Sequence, residues 1–361
     1  MTARVIGVDA RELLGATTGV GRYLGELLRR WADRPDGSSR RFILYSPEPL
    51  SASVSGRFDT RVLPGRPGTS WEQIRLRTAV NADSPDVFFA PAYTAPLGLK
   101  VPFAVTIHDV SFSAHPEWFR WREGTRRRFV TRRAARDAAR ILTDSEFSRR
   151  EISDHYDVPS ERIEVIPPGV TRRSPGPASG RQPIVLFAGS VFNRRRLPDL
   201  IAAFATAVKG LPAARLVIVG ENRTWPVQDL AAVAVTQGVA DRVELRDYVA
   251  EEELAALYSR ASAFAFLSEY EGFGLTPLEA LSAGIPVVVL DTAVAREVYG
   301  PAVRYAPRAD IDAAARALRE FLTMPPDRIA ELAHAPAVLD RYSWDVAASR
   351  TLDVLNRIAS R

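Results

Sequence analysis

Two glutamates eight residues apart, Glu271 and Glu279, bracket the stretch Glu271-Gly-Phe-Gly-Leu-Thr-Pro-Leu-Glu279. Carboxylates at such a spacing can accept hydrogen bonds from the hydroxyls of a polyol. Gly272 and Gly274 between them let backbone N–H groups approach a ligand without side-chain obstruction. A second group is cationic: Arg194, Arg195 and Arg196 stand together in Gly189-Ser-Val-Phe-Asn-Arg-Arg-Arg-Leu-Pro198. Three guanidiniums at one turn can hold an anion bidentately, with a solvated charge run as the alternative. A third candidate is His108, in His108-Asp-Val110 at the end of an apolar run. Its imidazole is either a reacting group or a structural histidine at a strand end. Gly19-Val-Gly21 before an apolar-periodic segment is the fourth. The next glycine, Gly25, makes the spacing G-x-G-x-x-x-G, one residue too long for a dinucleotide fingerprint.

These residues need elements to hold them, and the hydrophobic pattern supplies a consistent set. Ala263–Leu267 reads as a buried strand before the first acid. Thr276 then reads as an N-cap with Pro277 at the first helical position and Glu279 as the capping-box acid. Gly284 closes that helix and Ile285–Leu290 leads into another strand. Ile184–Ala188 is a strand before the arginines, and Leu197–Lys209 a helix after them. Strands are also expected at Arg4–Asp9, Arg41–Ser46, Asp86–Ala90, Phe103–His108, Arg140–Thr143 and Arg162–Ile166. A helix with Tyr23, Leu24, Leu27, Leu28 and Trp31 on one face follows Gly21. Trp71–Val80 reads as a helix, and Pro116–Ala139 as a long basic helix interrupted near Gly124. Two strand–helix alternations separated by a Pro/Gly/Ser-rich stretch imply two doubly wound parallel sheets. The expected organisation is a domain over 1–170 joined by a tail helix at about 344–361, a linker over 171–183 and a second domain over 184–343. In open sheets of this kind ligands sit outside the carboxyl ends of the strands, where all four candidate groups fall.

The Glu-Gly-Phe-Gly-Leu-x-Pro-x-Glu stretch resembles the E-x7-E motif of retaining GT-B glycosyltransferases, particularly glycosyltransferase family 4. Thr18-Gly-Val-Gly-Arg-Tyr23 resembles the family's N-terminal glycine loop, and Thr106-x-His-Asp-Val110 its histidine loop. The arginine loop resembles the family's Arg-Lys-Asn: Arg194 matches, Arg195 replaces Lys and Arg196 replaces Asn. Trp71-Glu-Gln, Thr143–Ser148, Val165–Val170 and Tyr342–Asp345 are lesser echoes, so the likeness runs through nearly the whole chain in order. Leu267 departs from a usual Pro, and Asp247 from a usual Gly. The resemblance implies a GT-B architecture, two facing Rossmann-like domains with an interdomain cleft. It implies that Glu271 binds donor-sugar hydroxyls and Glu279 the nucleotide ribose, and that His108 borders the reacting centre. It further implies that Gly19, Gly21, Gly189, Arg194, Arg195 and the Gly272–Leu275 amides (Phe273 included), with Thr276, hold the donor diphosphate. Tyr248 and Val249 then meet the base through backbone groups. Sugar transfer with retention from a nucleoside diphosphate sugar follows, without a metal or other cofactor. The mannosyltransferase-like cast of three loops implies GDP-mannose, with a glycan, lipid-linked or small-molecule acceptor.

Bulk properties narrow the classes. The chain has 361 residues, 46% of them hydrophobic, with no cysteine and four histidines. A disulfide, a thiolate nucleophile and a cysteine-ligated metal are excluded, and a histidine-rich metal cluster is not expected. No run of about 18 apolar residues is present and the N-terminal stretch has no signal-peptide core, so a cytoplasmic protein is expected. The net charge of +5 is local: residues 117–140 hold nine arginines against three acids. With Trp118, Phe119 and Trp121 among them, that segment suits a helix on the inner membrane face. The alternative is a solvated helix whose aromatics pack inward. No nucleic-acid-binding fold is recognisable. A GT-B epimerase or phosphorylase, and a basic nucleic-acid- or membrane-binding α/β protein, remain the rival readings.

Overall fold

The computed structural model describes residues 4–15, 19–33, 40–176 and 180–360. The chain forms two compact units, one of residues 1–114, 121–169 and 343–361, the other of residues 115–120 and 170–342. The first contains β1 (Arg4–Asp9), β2 (Arg40–Ser46), β3 (Asp59–Val62), β4 (Val87–Ala90), β5 (Phe103–Thr106), β6 (Arg140–Thr143) and β7 (Ile163–Val165). They pair in the order β3-β2-β1-β4-β5-β6-β7, every neighbour parallel. Both faces of such a sheet are covered by crossover helices, which is why β4 reads as an unbroken apolar run, β5 is apolar up to Thr106, and both are wholly buried.

The helix Gly19–Ala32 buries Tyr23, Leu24, Leu27, Leu28 and Trp31, the face its spacing predicts. The tail helix Trp344–Ala359 packs Leu352, Leu355 and Ile358 into the same core. The Trp31 indole N–H donates to the Ala348 carbonyl at 2.9 Å, satisfying the one polar atom that this burial would orphan. Each such aliphatic side chain removed from water is worth about 1.5–3 kcal/mol. Gly169 lies against Trp344 so closely that a Cβ there would sit 2.1 Å from the Trp344 nitrogen.

The second unit holds β8 (Gln182–Ala188), β9 (Arg215–Val219), β10 (Val243–Arg246), β11 (Ala261–Phe266), β12 (Val287–Leu290) and β13 (Arg304–Ala306). Its order is β10-β9-β8-β11-β12-β13, again all parallel. The strand order reverses between β8 and β11 here, and between β1 and β4 in the first unit. Those are the switch points at which doubly wound sheets open a ligand crevice.

Three local expectations change. The segment expected as a linker is packed in its described part: residues 170–176 belong to the second unit, and β8 already starts at Gln182. Gly176 is pressed against Ser259, whose carbonyl oxygen would lie 2.2 Å from an added Cβ. The basic helix breaks at Phe119, not at Gly124. A short turn, Pro116–Trp118, is followed by extended backbone at Phe119 and then by the helix Trp121–Asp137, with Gly124 buried inside it. Trp118 stacks on His115 at 4.0 Å and His115 meets Tyr270 edge-on, which fixes residues 115–120 to the second unit. Finally, Trp71–Leu76 is π-helical before Arg77–Asp83 turns α-helical.

Candidate active site

The loops after β8 and β11, the two switch-point strands, meet through their side chains. Arg195 donates from Nε to Glu271 Oε1 at 2.9 Å, and Arg194 Nε lies 3.7 Å from the same oxygen. Ser268 Oγ donates to that oxygen at 2.9 Å. Backbone joins the loops as well, since the Glu269 N–H donates to the Arg194 carbonyl at 2.9 Å. Arg195 Nη1 also donates to the Ser190 carbonyl at 2.7 Å and fills the space beside Gly189, where a Cβ would come within 2.5 Å of it. The arginine faces are occupied by aromatics: Arg194 lies over Phe192 at 4.5 Å and Arg195 over Phe266 at 5.0 Å.

Glu271 and Arg194 are both buried. Burial alone would raise the Glu271 carboxyl. The charges of Arg195 and Arg194 and the hydrogen bonds from Arg195 and Ser268 outweigh it and hold the group below its usual range. Two guanidiniums against one carboxylate leave the cluster a surplus positive charge at the carboxyl end of the sheet. Arg196 takes no part. It sits at φ 49°, ψ 44° in the left-handed region, pairs with Asp199 and donates to the Arg308 carbonyl at 2.9 Å. Asn, the residue of the resembled motif, tolerates that conformation better than most residues.

The helix after the glycines starts two residues earlier than expected. It spans Leu275–Ser282 with Gly274 at its N-cap, so Thr276 is not the cap. Gly274 has φ +88°, and a Cβ on it would meet the Tyr299 hydroxyl at 2.1 Å. That hydroxyl donates to the carbonyls of Gly274 and Phe273 and pins the turn. Pro277 therefore occupies the third helical position and Glu279 the fifth, out of capping reach. Thr276 Oγ1 is buried without a partner. Glu279, 2% exposed, pairs instead with Arg173 at 3.2 Å. Gly284 ends the helix as expected, at φ +71°, with the Ile285 N–H reaching back to the Ala280 carbonyl.

Phe273 packs edge-on against Tyr342, and Gly272 and Leu275 line the same turn. The side chains of Tyr248 and Val249 do not join the cluster. They follow β10 at the edge of the sheet, Tyr248 76% exposed and Val249 buried.

In the first unit His108 follows β5. Its Nδ1 bonds Asp144 Oδ2 at 2.7 Å and its Nε2 the Pro91 carbonyl at 3.1 Å. A carboxylate and a carbonyl both accept, so this pair of partners favours the ring form that carries hydrogen on both nitrogens. Burial opposes that charge, but Asp144, Pro91 and Asp109 outweigh it and raise the histidine above its ordinary value. Tyr23 and Tyr93 close over the ring edge-on at 5.0 and 5.5 Å. Gly19 and Gly21 fall in the first turn of their helix, and residues 16–18 of the expected loop lie outside the described residues.

Sequence reasoning missed a polar cluster at the carboxyl ends of β1 and β4. Arg11 bridges Asp9 at 3.0 Å and Glu72, and Thr94 donates to Glu72 at 2.7 Å. Burial, partly offset by Arg11, pushes the Asp9 carboxyl up to about 6. Arg173, Ser268 and Tyr299 were missed too. The Trp71-Glu-Gln echo carried a signal for Glu72, and Ser268 stands just before the Glu271 motif, though no role was read for it. Among the described residues no group of three or more histidine and acidic side chains is gathered in the manner of a metal site.

Two parallel-sheet Rossmann-like domains, each with its candidate loops at the switch point, define a GT-B fold. Residues 17–173 match the model described as Glycosyltransferase Family 4 and residues 171–335 the model Glycosyl transferases group 1. Between them the two matches run through most of the chain, and it belongs to the glycosyltransferases built from these two domains. It is 28% identical over 286 residues to O-antigen chain mannosyltransferase B of Escherichia coli, covering 74% of this chain and 73% of that one. To the GDP-mannose:cellobiosyl-diphosphopolyprenol alpha-mannosyltransferase of Xanthomonas oryzae pv. oryzae it is 28% identical over 295 residues, 78% and 74% of the two chains. Other curated relatives match over 51–66% of their own length. In fold the chain is similar to Anabaena HepE, solved with UDP and glucose, at a TM-score of 0.76 and 17% identity, over 98% of this chain and 100% of that one.

Proposed function

We propose that the enzyme is a hexosyltransferase that moves mannose from GDP-mannose to a lipid-linked or glycan acceptor with retention at the anomeric carbon. The observation that carries this reading is the Arg194–Arg195–Glu271 cluster at the β8/β11 switch point. Transfer expels a nucleoside diphosphate, so negative charge grows on the leaving group in the transition state. Preorganised guanidiniums with surplus positive charge stabilise it there, as does the Gly274-capped helix end with the unpartnered Thr276 hydroxyl. In this mechanism the arginines carry the load that a metal would otherwise carry. Glu271, kept ionised by the same arginines, accepts from donor-sugar hydroxyls, and Glu279 from the ribose. His108, which the family resemblance sets at the border of the reacting centre, has both ring nitrogens engaged by Asp144 and Pro91, and in this reading it acts electrostatically. The mannosyl donor rests on similarity to the two mannosyltransferases, one of which uses GDP-mannose and a diphosphopolyprenol-linked acceptor by its name.

We further propose peripheral contact with an anionic membrane through the helix Trp121–Asp137, on the cytoplasmic side. Trp121 and Phe129 are 77% and 66% exposed. Among the described residues no helix is long and apolar enough to cross a membrane.

The test is a panel of sugar nucleotides. GDP-mannose should raise the melting temperature and support transfer to a prenyl-diphosphate-linked glycan, with an α-linked product by NMR. Stabilisation by UDP-glucose alone would replace the donor. Conversion of donor to an isomer without acceptor would favour the epimerase reading.

A further inference from the structure

We propose that Arg173 is a positioning residue that aims the Glu279 carboxylate at the nucleotide, an inference that rests on the reading of Glu279 as a ribose ligand. Arg173 lies beyond the family-resembling Val165–Val170 stretch, where neither spacing nor motif singled it out. Its side chain is only 9% exposed, and its contacts converge from two helices. Nη2 lies 3.2 Å from Glu279 Oε2 and 3.0 Å from Glu251 Oε1. The guanidinium lies over the Tyr258 ring at 4.4 Å. Its backbone N–H donates to Ser282 Oγ at 3.0 Å, and that hydroxyl donates to the Glu279 carbonyl at 2.8 Å.

Arg173 therefore grips both the side chain and, through Ser282, the backbone of the same glutamate. The two acid contacts are unequal. Glu251 is 63% exposed on its side chain and its pair is screened by water, whereas the Glu279 side chain is buried and its pair with Arg173 is shielded from solvent. Burial opposes the Arg173 charge, yet Glu279, Tyr258 and Glu251 together raise the group above its ordinary value. Tyr258 fixes the plane of the guanidinium, so the direction from which Oε2 is held is fixed as well. Glu271 has its own pair of arginines, so each acid of the motif is aimed by a different cationic anchor.

A double-mutant cycle tests the inference, read by calorimetric affinity for GDP and UDP and by melting temperature. Arg173→Gln should weaken nucleoside diphosphate binding roughly tenfold in the wild-type background and add almost nothing in Glu279→Gln, as coupled residues do. Arg173→Lys keeps the charge but loses the planar fork. It should lose roughly threefold, again only where Glu279 is present, and it carries the test if the Gln variant does not fold. Glu251→Gln should leave affinity unchanged. If Arg173→Gln or →Lys lowers the melting temperature but not affinity, or costs the same affinity in both backgrounds, Arg173 is a structural tie and the inference is overturned. If Glu279→Gln itself leaves affinity intact, the ribose reading falls. If Glu279→Gln weakens binding while Arg173 variants do not, that reading stands and this inference alone falls. Wild type binding neither GDP nor UDP would overturn both.

Discussion

Arg195 and Glu271, 76 residues apart in sequence, are joined by a 2.9 Å bond that ties the loop after β8 to the loop after β11. The bond makes one charged unit of two motifs, and it sets different outcomes for its two ends. Arg194→Ala with Arg195→Ala removes charge-assisted bonds worth ~1.5–3 kcal/mol each, so kcat/KM at low donor should fall on the order of a hundredfold or more. Glu271→Gln should keep affinity for free nucleoside diphosphate and lose transfer, because its assigned partners are on the sugar. Calorimetry against the diphosphate and steady-state transfer separate the two. Activity abolished by EDTA and restored by Mn²⁺ would show that the arginines do not act alone.

Arg196 should behave unlike its neighbours. Its left-handed backbone costs about 1–2 kcal/mol, and its partly exposed pair with Asp199 returns about 0.2–1 kcal/mol. Arg196→Asn is therefore expected to leave stability unchanged or slightly raised, with donor affinity intact. A loss of affinity comparable to that of Arg195→Ala would place the third guanidinium on the ligand after all.

What the sequence shows of this fold follows from where its signals lie. Buried parallel strands such as Phe103–Thr106 read directly, because both faces are apolar, and the helix Gly19–Ala32 reads from its spacing. The three-residue β13 has too few residues to show a pattern. The helix start at Leu275 was misplaced because Thr-Pro is a strong local signal. What decides it is Tyr299, 25 residues beyond Gly274, whose hydroxyl fills the place of a side chain there. The same limit hid Arg173. A partner 106 residues away leaves no spacing to read, whereas Glu271 and Arg194 were visible because each stands in a local motif.

His108 gives a pH-dependent prediction. Its protonated form is favoured in the folded state, so its value there lies above that of the unfolded chain. The stability it contributes is then fully present below about pH 6.5, the ordinary histidine value, and is lost as pH rises through the higher folded value. Asp144→Asn removes the main counter-charge. The stability difference between wild type and this variant, measured by urea unfolding, should be largest at low pH and shrink as pH rises. A difference that grows with pH would mean that the ring is neutral in the folded protein.

The basic helix supplies the last prediction, and the structure changes which residues carry it. Most of its arginines are already paired: Arg127 with Glu123, Arg133 with Asp137, and Arg132 and Arg136 with Asp157. Trp118, expected among the membrane-facing aromatics, is stacked on His115. What remains exposed is Trp121 and Phe129, with Arg122 and Arg126 on the side of the helix that Phe129 shares. Positions 122, 126 and 129 recur at helical spacing, so an aromatic ring stands on a stripe of cations. Such a stripe should bind vesicles rich in anionic lipid and ignore neutral ones, and the binding should weaken as salt screens it. Arg122→Gln with Arg126→Gln should weaken vesicle binding by about 1 kcal/mol for each charge lost near the surface. Phe129→Ser should weaken it further and make the remainder less dependent on lipid charge. Donor affinity should be unchanged in all three, since none touches the β8 or β11 loops. Co-sedimentation with vesicles at two salt concentrations decides the matter. Equal binding to neutral and anionic vesicles, or equal indifference to both, would leave this helix a solvated face of the first unit.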